Sequence, residues 1–147
     1  MGIKPVSFTP EVLLSAPRRG PAVPNHDGTL AFYSVSTYSF DNHETTKEIR
    51  VLDVKSGSSA LLTDSSDAHD PQWLGDGTNA IAWLQSGAKG ITSLMIGAGD
   101  EPSKASYTAD VIAAPFSNLK LKPLPDGAIA CVMTGLATPD GHLYNEE

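Results

Sequence analysis

The sequence contains a single cysteine, Cys131, so no disulfide can form within the chain. This cysteine lies in the apolar run AIACVM, which favours a small buried side chain over a reactive thiol. Besides this cysteine there are four histidines, and their spacing matches no zinc-binding pattern. We therefore expect neither a metal site nor a cofactor.

Basic residues are scarce: ten Lys and Arg stand against seventeen Asp and Glu, and the formal net charge is −7. Nucleic-acid binding requires clustered basic side chains, and here only Arg18 and Arg19 are adjacent. We therefore expect no nucleic-acid partner. We also expect no membrane partner, since no run approaches the roughly 18 apolar residues of a membrane-spanning helix. The start MGIKPVS also lacks the apolar core of a signal peptide, which favours a cytoplasmic location if that start is native.

Glycine and proline are abundant, with 13 and 11 residues, and they predict many turns between short strands. Three Asp-Gly pairs divide the sequence: Asp27-Gly28, Asp76-Gly77 and Asp126-Gly127. Their spacings are 49 and 50 residues, and a near-constant period of this size indicates repeated structural units. Asp-Gly between apolar runs is typical of a tight hairpin turn.

Each unit contains up to four strand-like runs. In the second unit they are PQWL, NAIAWLQ, ITSLMI and KASYT, the last at residues 104–108, and in the first unit the fourth run is SALLT at residues 59–63. Four short antiparallel strands in about 50 residues describe a blade of a β-propeller. The prediction is an all-β partial propeller with blades at about 21–63, 71–108 and an incomplete 116–147; a β-sandwich is the alternative.

Two local expectations accompany this architecture. Residues 1–20 form an N-terminal segment with a short helix near Pro10 to Ala16, because Thr9 is a suitable cap and Pro10 suits the first helical position. Trp73 is expected to pack between adjacent blades, where its ring buries a large area.

Candidate site residues are few. The sequence has no Gly-x-Ser-x-Gly nucleophile elbow, and His26, His43, His69 and His142 all lie in or next to expected turns, so no catalytic residue is nominated. The acidic group Asp64, Asp67 and Asp70 fits no calcium loop and is interpreted as a solvated loop between blades. Arg18 and Arg19, ahead of the first predicted blade, are candidates for contact with another domain or for a plain solvated pair.

Several segments resemble a known family. PQWLGDGTNAIAW is similar to a WD40-like repeat, and FTPEVLLSAPRRG (residues 8–20) resembles the start of mature fungal secreted dipeptidyl-peptidase V, of the prolyl-oligopeptidase clan. YSFDNH, LTDSSD, WLGDGT and LYNEE resemble N-terminal segments of that family in the same order. The resemblance implies a secreted serine peptidase whose chain continues through further blades into an α/β-hydrolase domain.

The family's catalytic Ser, Asp and His belong to that hydrolase domain, and none maps onto residues 1–147. The resemblance therefore implies an N-terminal propeller part of an enzyme that removes dipeptides from peptide N-termini, with the propeller gating access. Its implied partners are peptides, the missing blades and the hydrolase domain. The alternative is a truncated, non-catalytic binding or assembly module that completes its sheet through self-association or a partner. In either case, five apolar side chains are expected to be poorly covered in the isolated chain: Val111, Ile112, Phe116, Leu119 and Leu121.

Overall fold

The computed structural model describes residues 7–146, so the first six residues of the predicted N-terminal segment and Glu147 lie outside it. It confirms an all-β partial propeller of two complete blades and one two-stranded sheet, all antiparallel. Blade one holds β1 (Arg18–Arg19), β2 (Val23–Pro24), β3 (Leu30–Ser39), β4 (Glu44–Asp53) and β5 (Ser59–Thr63). Blade two holds β6 (Ala68–Trp73), β7 (Ala80–Ser86), β8 (Thr92–Ala98) and β9 (Tyr107–Ile112), and blade three holds β10 (Phe116–Pro123) and β11 (Ile129–Gly135).

A short helix, α1 (Pro10–Ser15), precedes the sheets. Thr9 caps it, because the Thr9 hydroxyl accepts a hydrogen bond from the Val12 amide at 3.4 Å and Pro10 occupies the first turn. No residue of α1 is buried, so its apolar side chains stand at the surface. In the described part of the chain no helix is long and apolar enough to span a membrane.

The innermost strand of each blade carries one extra residue at the same place. On β6 the extra residue lies between His69 and Gln72, and on β10 it lies between Ser117 and Lys120. In blade one, β1 and β2 both pair with β3, and the stretch between Arg19 and Val23 is also one residue longer than the stretch opposite it. β1 and β2 are therefore two halves of one bulged innermost strand, and the sheet begins at Arg18 instead of near residue 21.

The three Asp-Gly pairs form tight turns, as predicted. Gly28, Gly77 and Gly127 have φ of 73°, 87° and 84°, values that glycine adopts without steric cost. In each turn the aspartate Oδ1 accepts a hydrogen bond at 3.0 Å from the amide two residues later. The periodic turns thus share one local hydrogen-bond pattern.

The turn of blade two predicts a pH-dependent stability. The hydroxyl of Thr78 donates to Asp76 at 2.5 Å, and this bond holds the pKa of Asp76 below its ordinary value. A lowered pKa adds stability at neutral pH that is lost as the pH falls below about 4. We expect Asp76→Asn to lower the melting temperature at pH 7 and the difference to shrink in acid. Thermal melts followed by circular dichroism test this, with the exposed Asp100→Asn as control; an equal effect of both variants would contradict it.

Blades one and two meet at a buried apolar cluster. Phe32 of β3 and Trp73 of β6 approach with ring centroids 5.5 Å apart, and the Trp73 indole donates to the Val23 carbonyl at 2.9 Å. The placement of Trp73 between blades is therefore confirmed. The buried members of the cluster are Phe32, Ile49, Val51, Leu62, Ala68, Ile81 and Trp83.

β7 lies at the centre of the molecule and is buried on both faces. Ile81 and Trp83 belong to the cluster with blade one, whereas Ala82 and Leu84 belong to a second cluster against blade three. Side chains alternate between the two faces of a strand, so an apolar run without polar interruptions is what this position requires. All four side chains are at most 2% exposed.

Three further expectations were wrong. The fourth strand of blade two spans Tyr107–Ile112 instead of 104–108, because residues 101–104 form a turn in which the Lys104 amide donates to the Glu101 carbonyl at 2.9 Å. Leu119 is 1% exposed, because it packs against β7. Cys131 is exposed, because no strand pairs with the outer edge of β11 among residues 7–146.

Candidate functional site

The histidines lie apart from one another in the described chain. His26 and His142 are near Asp27 and Asp140, at 3.8 Å and 4.0 Å, on exposed turns. His43 Nδ1 lies 3.0 Å from the Tyr38 hydroxyl. Within residues 7–146 none of these rings is hydrogen-bonded to a serine, and this arrangement provides no nucleophile with a base.

His69 and Asp70 connect blade two to blade three. The two ring nitrogens of His69 lie 3.0 Å from the Asp67 carbonyl and 3.1 Å from the Phe116 carbonyl. The Asp70 carboxylate accepts a hydrogen bond from the Asn118 amide at 2.8 Å. Asp70 and Asn118, at the bulges of β6 and β10, both have positive φ. Asp70 is therefore a structural residue between blades, and its interpretation as part of a solvated loop was wrong, because it lies on β6. No metal-binding group of three acidic, His or Cys side chains occurs among the described residues.

Arg18 and Arg19 project from opposite faces of blade one, because they are neighbours on β1. Arg18 pairs with Ser36 and Arg19 with Val35 across to β3. Both residues are exposed, and neither joins an ion pair within the described chain. Two guanidinium groups are thus available to acidic partners on two different surfaces.

Arg19 lies on the outer face of blade one, the face turned away from blade two. A network of polar side chains covers this face: Arg50 pairs with Glu48 at 3.1 Å and donates to the Ser59 hydroxyl at 2.9 Å. The Tyr33 hydroxyl lies 2.7 Å from the same Ser59 oxygen. A shallow cavity of about 360 Å³ lies among these side chains and Arg19. This surface suits a polar or charged partner better than an apolar one.

Arg18 lines a different cavity, which we call the α1–hairpin cavity. It measures about 460 Å³ and lies between α1 and the hairpin of β3 and β4. This hairpin projects because its strands have 10 residues each, whereas β7 and β8 have 7. The lining residues are Leu14, Ala16, Arg18, Ser36, Tyr38, Phe40 and Thr45.

The sequence did not predict the aromatic wall of this cavity, which Tyr38 and Phe40 of the segment YSFDNH form. The rings of Tyr38 and Phe40 meet edge-to-face with centroids 5.0 Å apart. The available signal was the pair of aromatic residues in TYSFDNHETT, a segment that would otherwise be a polar turn. What the sequence did not reveal is that α1 lies across this segment.

Comparison with known proteins gives close sequence relatives. The chain is 38% identical over 146 residues to a probable dipeptidyl-peptidase 5 of Arthroderma benhamiae, covering 96% of this chain. It is 34% identical over 145 residues to the corresponding protein of Aspergillus terreus, covering 97% of this chain. By sequence, this chain resembles part of dipeptidyl-peptidase 5. It spans about a fifth of these dipeptidyl-peptidases, 19% and 20% of their lengths, and no protein-family model matches it.

Solved structures similar to this dipeptidyl-peptidase 5-like chain confirm the fold. An acylaminoacyl peptidase of Pyrococcus horikoshii aligns with a TM-score of 0.59 over 73% of this chain and 16% of its own, at 12% identity. The β-propeller domain of the trilobed protease of Pyrococcus furiosus aligns with a TM-score of 0.54 over 70% of this chain and 30% of its own, at 13% identity. At these identities the likeness concerns the fold.

Proposed function

We propose that this chain is the N-terminal propeller part of a dipeptidyl-peptidase 5-like serine peptidase that acts outside the cell. The observation that carries the proposal is the match of nearly the whole chain to dipeptidyl-peptidases at 34–38% identity. The catalytic groups of such a protein lie beyond these residues, so the chain contributes architecture. Its part is to restrict which peptides reach the active site.

The contacts between blades support a role in restricting access. Blade two is joined to its neighbours by the two apolar clusters and by directed hydrogen bonds, Trp73 to Val23 and Asn118 to Asp70. In a complete propeller, blades held in this way would keep a fixed opening, which would admit short peptides and exclude folded proteins. Loosening one such contact should therefore change size selection before it changes the chemistry.

A chimera tests this proposal. Residues 7–147 replace the matching segment of the Arthroderma benhamiae relative, and the product is assayed in culture medium for dipeptide release. We expect secretion and activity, and we expect Asp70→Ala to raise cleavage of long peptides relative to a dipeptidyl chromogenic substrate. Asp100→Ala is the control. An active chimera with unchanged size selection in Asp70→Ala would contradict gating, and an inactive, well-folded chimera would contradict the proposal itself.

The chain alone is expected to be inactive. Its sequence lacks a nucleophile elbow, and nucleophilic hydrolysis needs a serine or comparable group activated by a base. Purified chain should neither release the chromophore from dipeptidyl substrates nor react with a fluorophosphonate serine probe. Labelling of one serine that disappears after heat denaturation would reveal a folded nucleophile site within the chain and contradict this expectation.

The second candidate is a non-catalytic binding or assembly module. The outer edge of β11 favours it, since this edge has no paired strand among the described residues and Val132 on it is 64% exposed. Unpaired strand edges are templates for another chain. A stable monomer of the isolated chain, with this edge free for a strand of a partner protein, would favour the module, whereas self-association would favour the part of a longer propeller.

A further inference from the structure

We infer that the α1–hairpin cavity binds the carboxy-terminal residue of a peptide, holding an apolar side chain against Tyr38 and Phe40 and the α-carboxylate at Arg18. The inference does not depend on the proposed function. It rests on the shape of the cavity, on its apolar walls and on the single charged group among its lining residues.

The walls of the cavity are apolar on two sides. Leu14 and Ala16, from α1 and the residues after it, form one side, and the rings of Tyr38 and Phe40 form the other. Leu14 is 44% exposed, so its apolar surface is only partly covered by the chain itself. A volume of about 460 Å³ lies within the range of about 300–1,000 Å³ typical of small-ligand sites.

Arg18 supplies the only charge among the lining residues. It pairs with Ser36 on β3, two residues before Tyr38, so the side chains of Arg18 and Tyr38 lie on the same face of the sheet and both line the cavity. None of the ion pairs of the described chain involves Arg18. A planar guanidinium matches a carboxylate through two parallel hydrogen bonds, which makes a carboxylate the expected complement.

The closeness of the apolar walls to Arg18 selects a terminal residue over an acidic side chain. In aspartate and glutamate the side chain itself ends in the carboxylate, so no apolar side chain remains to pack against Tyr38 and Phe40. A carboxy-terminal Leu or Phe carries an apolar side chain and a carboxylate on the same Cα, so one residue fills both parts of the cavity.

Two small probes test the inference without knowledge of the natural peptide. N-acetyl-phenylalanine and its uncharged amide differ only in the carboxylate, and saturation-transfer NMR detects their binding to the full chain in any association state. We expect the acid to bind about fivefold more tightly than the amide, the upper value for an exposed ion pair. Equal binding of acid and amide, or no saturable binding of either, overturns the inference on the unsubstituted chain alone.

Matched variants assign the effect to this cavity. Arg18→Gln should abolish the preference for the acid, whereas Arg19→Gln, with the same change of charge on the opposite face, should keep it. Tyr38→Ala should weaken the binding of both probes. Tyr107 is an exposed tyrosine on β9, and Tyr107→Ala should weaken the binding of neither probe. Circular dichroism establishes that each variant is folded. Equal loss in both arginine variants would mean general charge attraction and would overturn the assignment to Arg18.

Discussion

Replacing Trp83 with alanine is expected to destabilise the folded chain by about 3–5 kcal/mol, the usual cost of deleting a large buried aromatic side chain. Trp83 is 0% exposed and lies in the cluster that joins blades one and two. A whole domain is stable by only about 5–15 kcal/mol. The substitution should therefore remove a large share of the stability and lower the denaturant concentration at which the chain unfolds.

The packing around Trp83 leaves little room for compensation. A methyl group built on Gly97 of β8 would lie 3.1 Å from the Trp83 ring and 3.0 Å from Leu62, so an alanine there would require these side chains to shift. Closely packed interiors do not collapse readily into the space that a deleted ring leaves behind. Gly97→Ala is accordingly expected to destabilise the chain as well, by overpacking instead of by a cavity.

Chemical denaturation followed by circular dichroism measures the loss. Trp83→Phe retains an aromatic ring and should lower the free energy of unfolding less than Trp83→Ala. It can therefore be measured even if Trp83→Ala does not fold. Val132→Ala, at a side chain that is 64% exposed, is the control and should change stability little. A Trp83→Ala variant as stable as the control would mean that the interface between blades one and two contributes little.

The repeated turn was the part of the fold that the sequence predicted best. Asp27, Asp76 and Asp126 each precede a glycine with positive φ, and only a few residue types suit such a tight turn. The same reasoning placed Trp73 between blades and found β7 as a strand. These features depend on local backbone geometry or on strict apolar patterning, both of which are visible in one sequence.

Sequence-based predictions were wrong where the position of a residue in the sheet determines its burial or its strand pairing. Cys131 lies in an apolar run yet is exposed, because burial on β11 depends on a neighbouring strand that no local pattern encodes. Arg18 and Arg19 were placed ahead of the first blade, since a bulge divides their strand and hides its pairing with β3. The α1–hairpin cavity was missed for a similar reason: it requires two segments more than 20 residues apart to meet.

The isolated chain is expected to self-associate instead of forming a well-behaved monomer of 15.4 kDa. Blade three has two strands only, and β11 presents an unpaired edge with exposed Val132 among the described residues. Phe116 and Leu121 are only half-buried and Val111 is 53% exposed, although Leu119 is covered by blade two. Full burial of such a side chain contributes about 1.5–3 kcal/mol, and a half-covered one forgoes roughly half of that.

Size-exclusion chromatography with light scattering tests this expectation, and a charge placed on the edge makes the test specific. Val132→Lys should lower the associated fraction, because a lysine on an edge strand opposes pairing with another chain. Lys122→Arg, which keeps the charge on the neighbouring strand β10, is the control. If the chain runs as one sharp monomer and melts cooperatively, the three sheets are sufficient for a stable unit, and the binding-module function gains support. If association is strong and Val132→Lys relieves it, the edge of β11 is the place where a further strand of a longer propeller belongs.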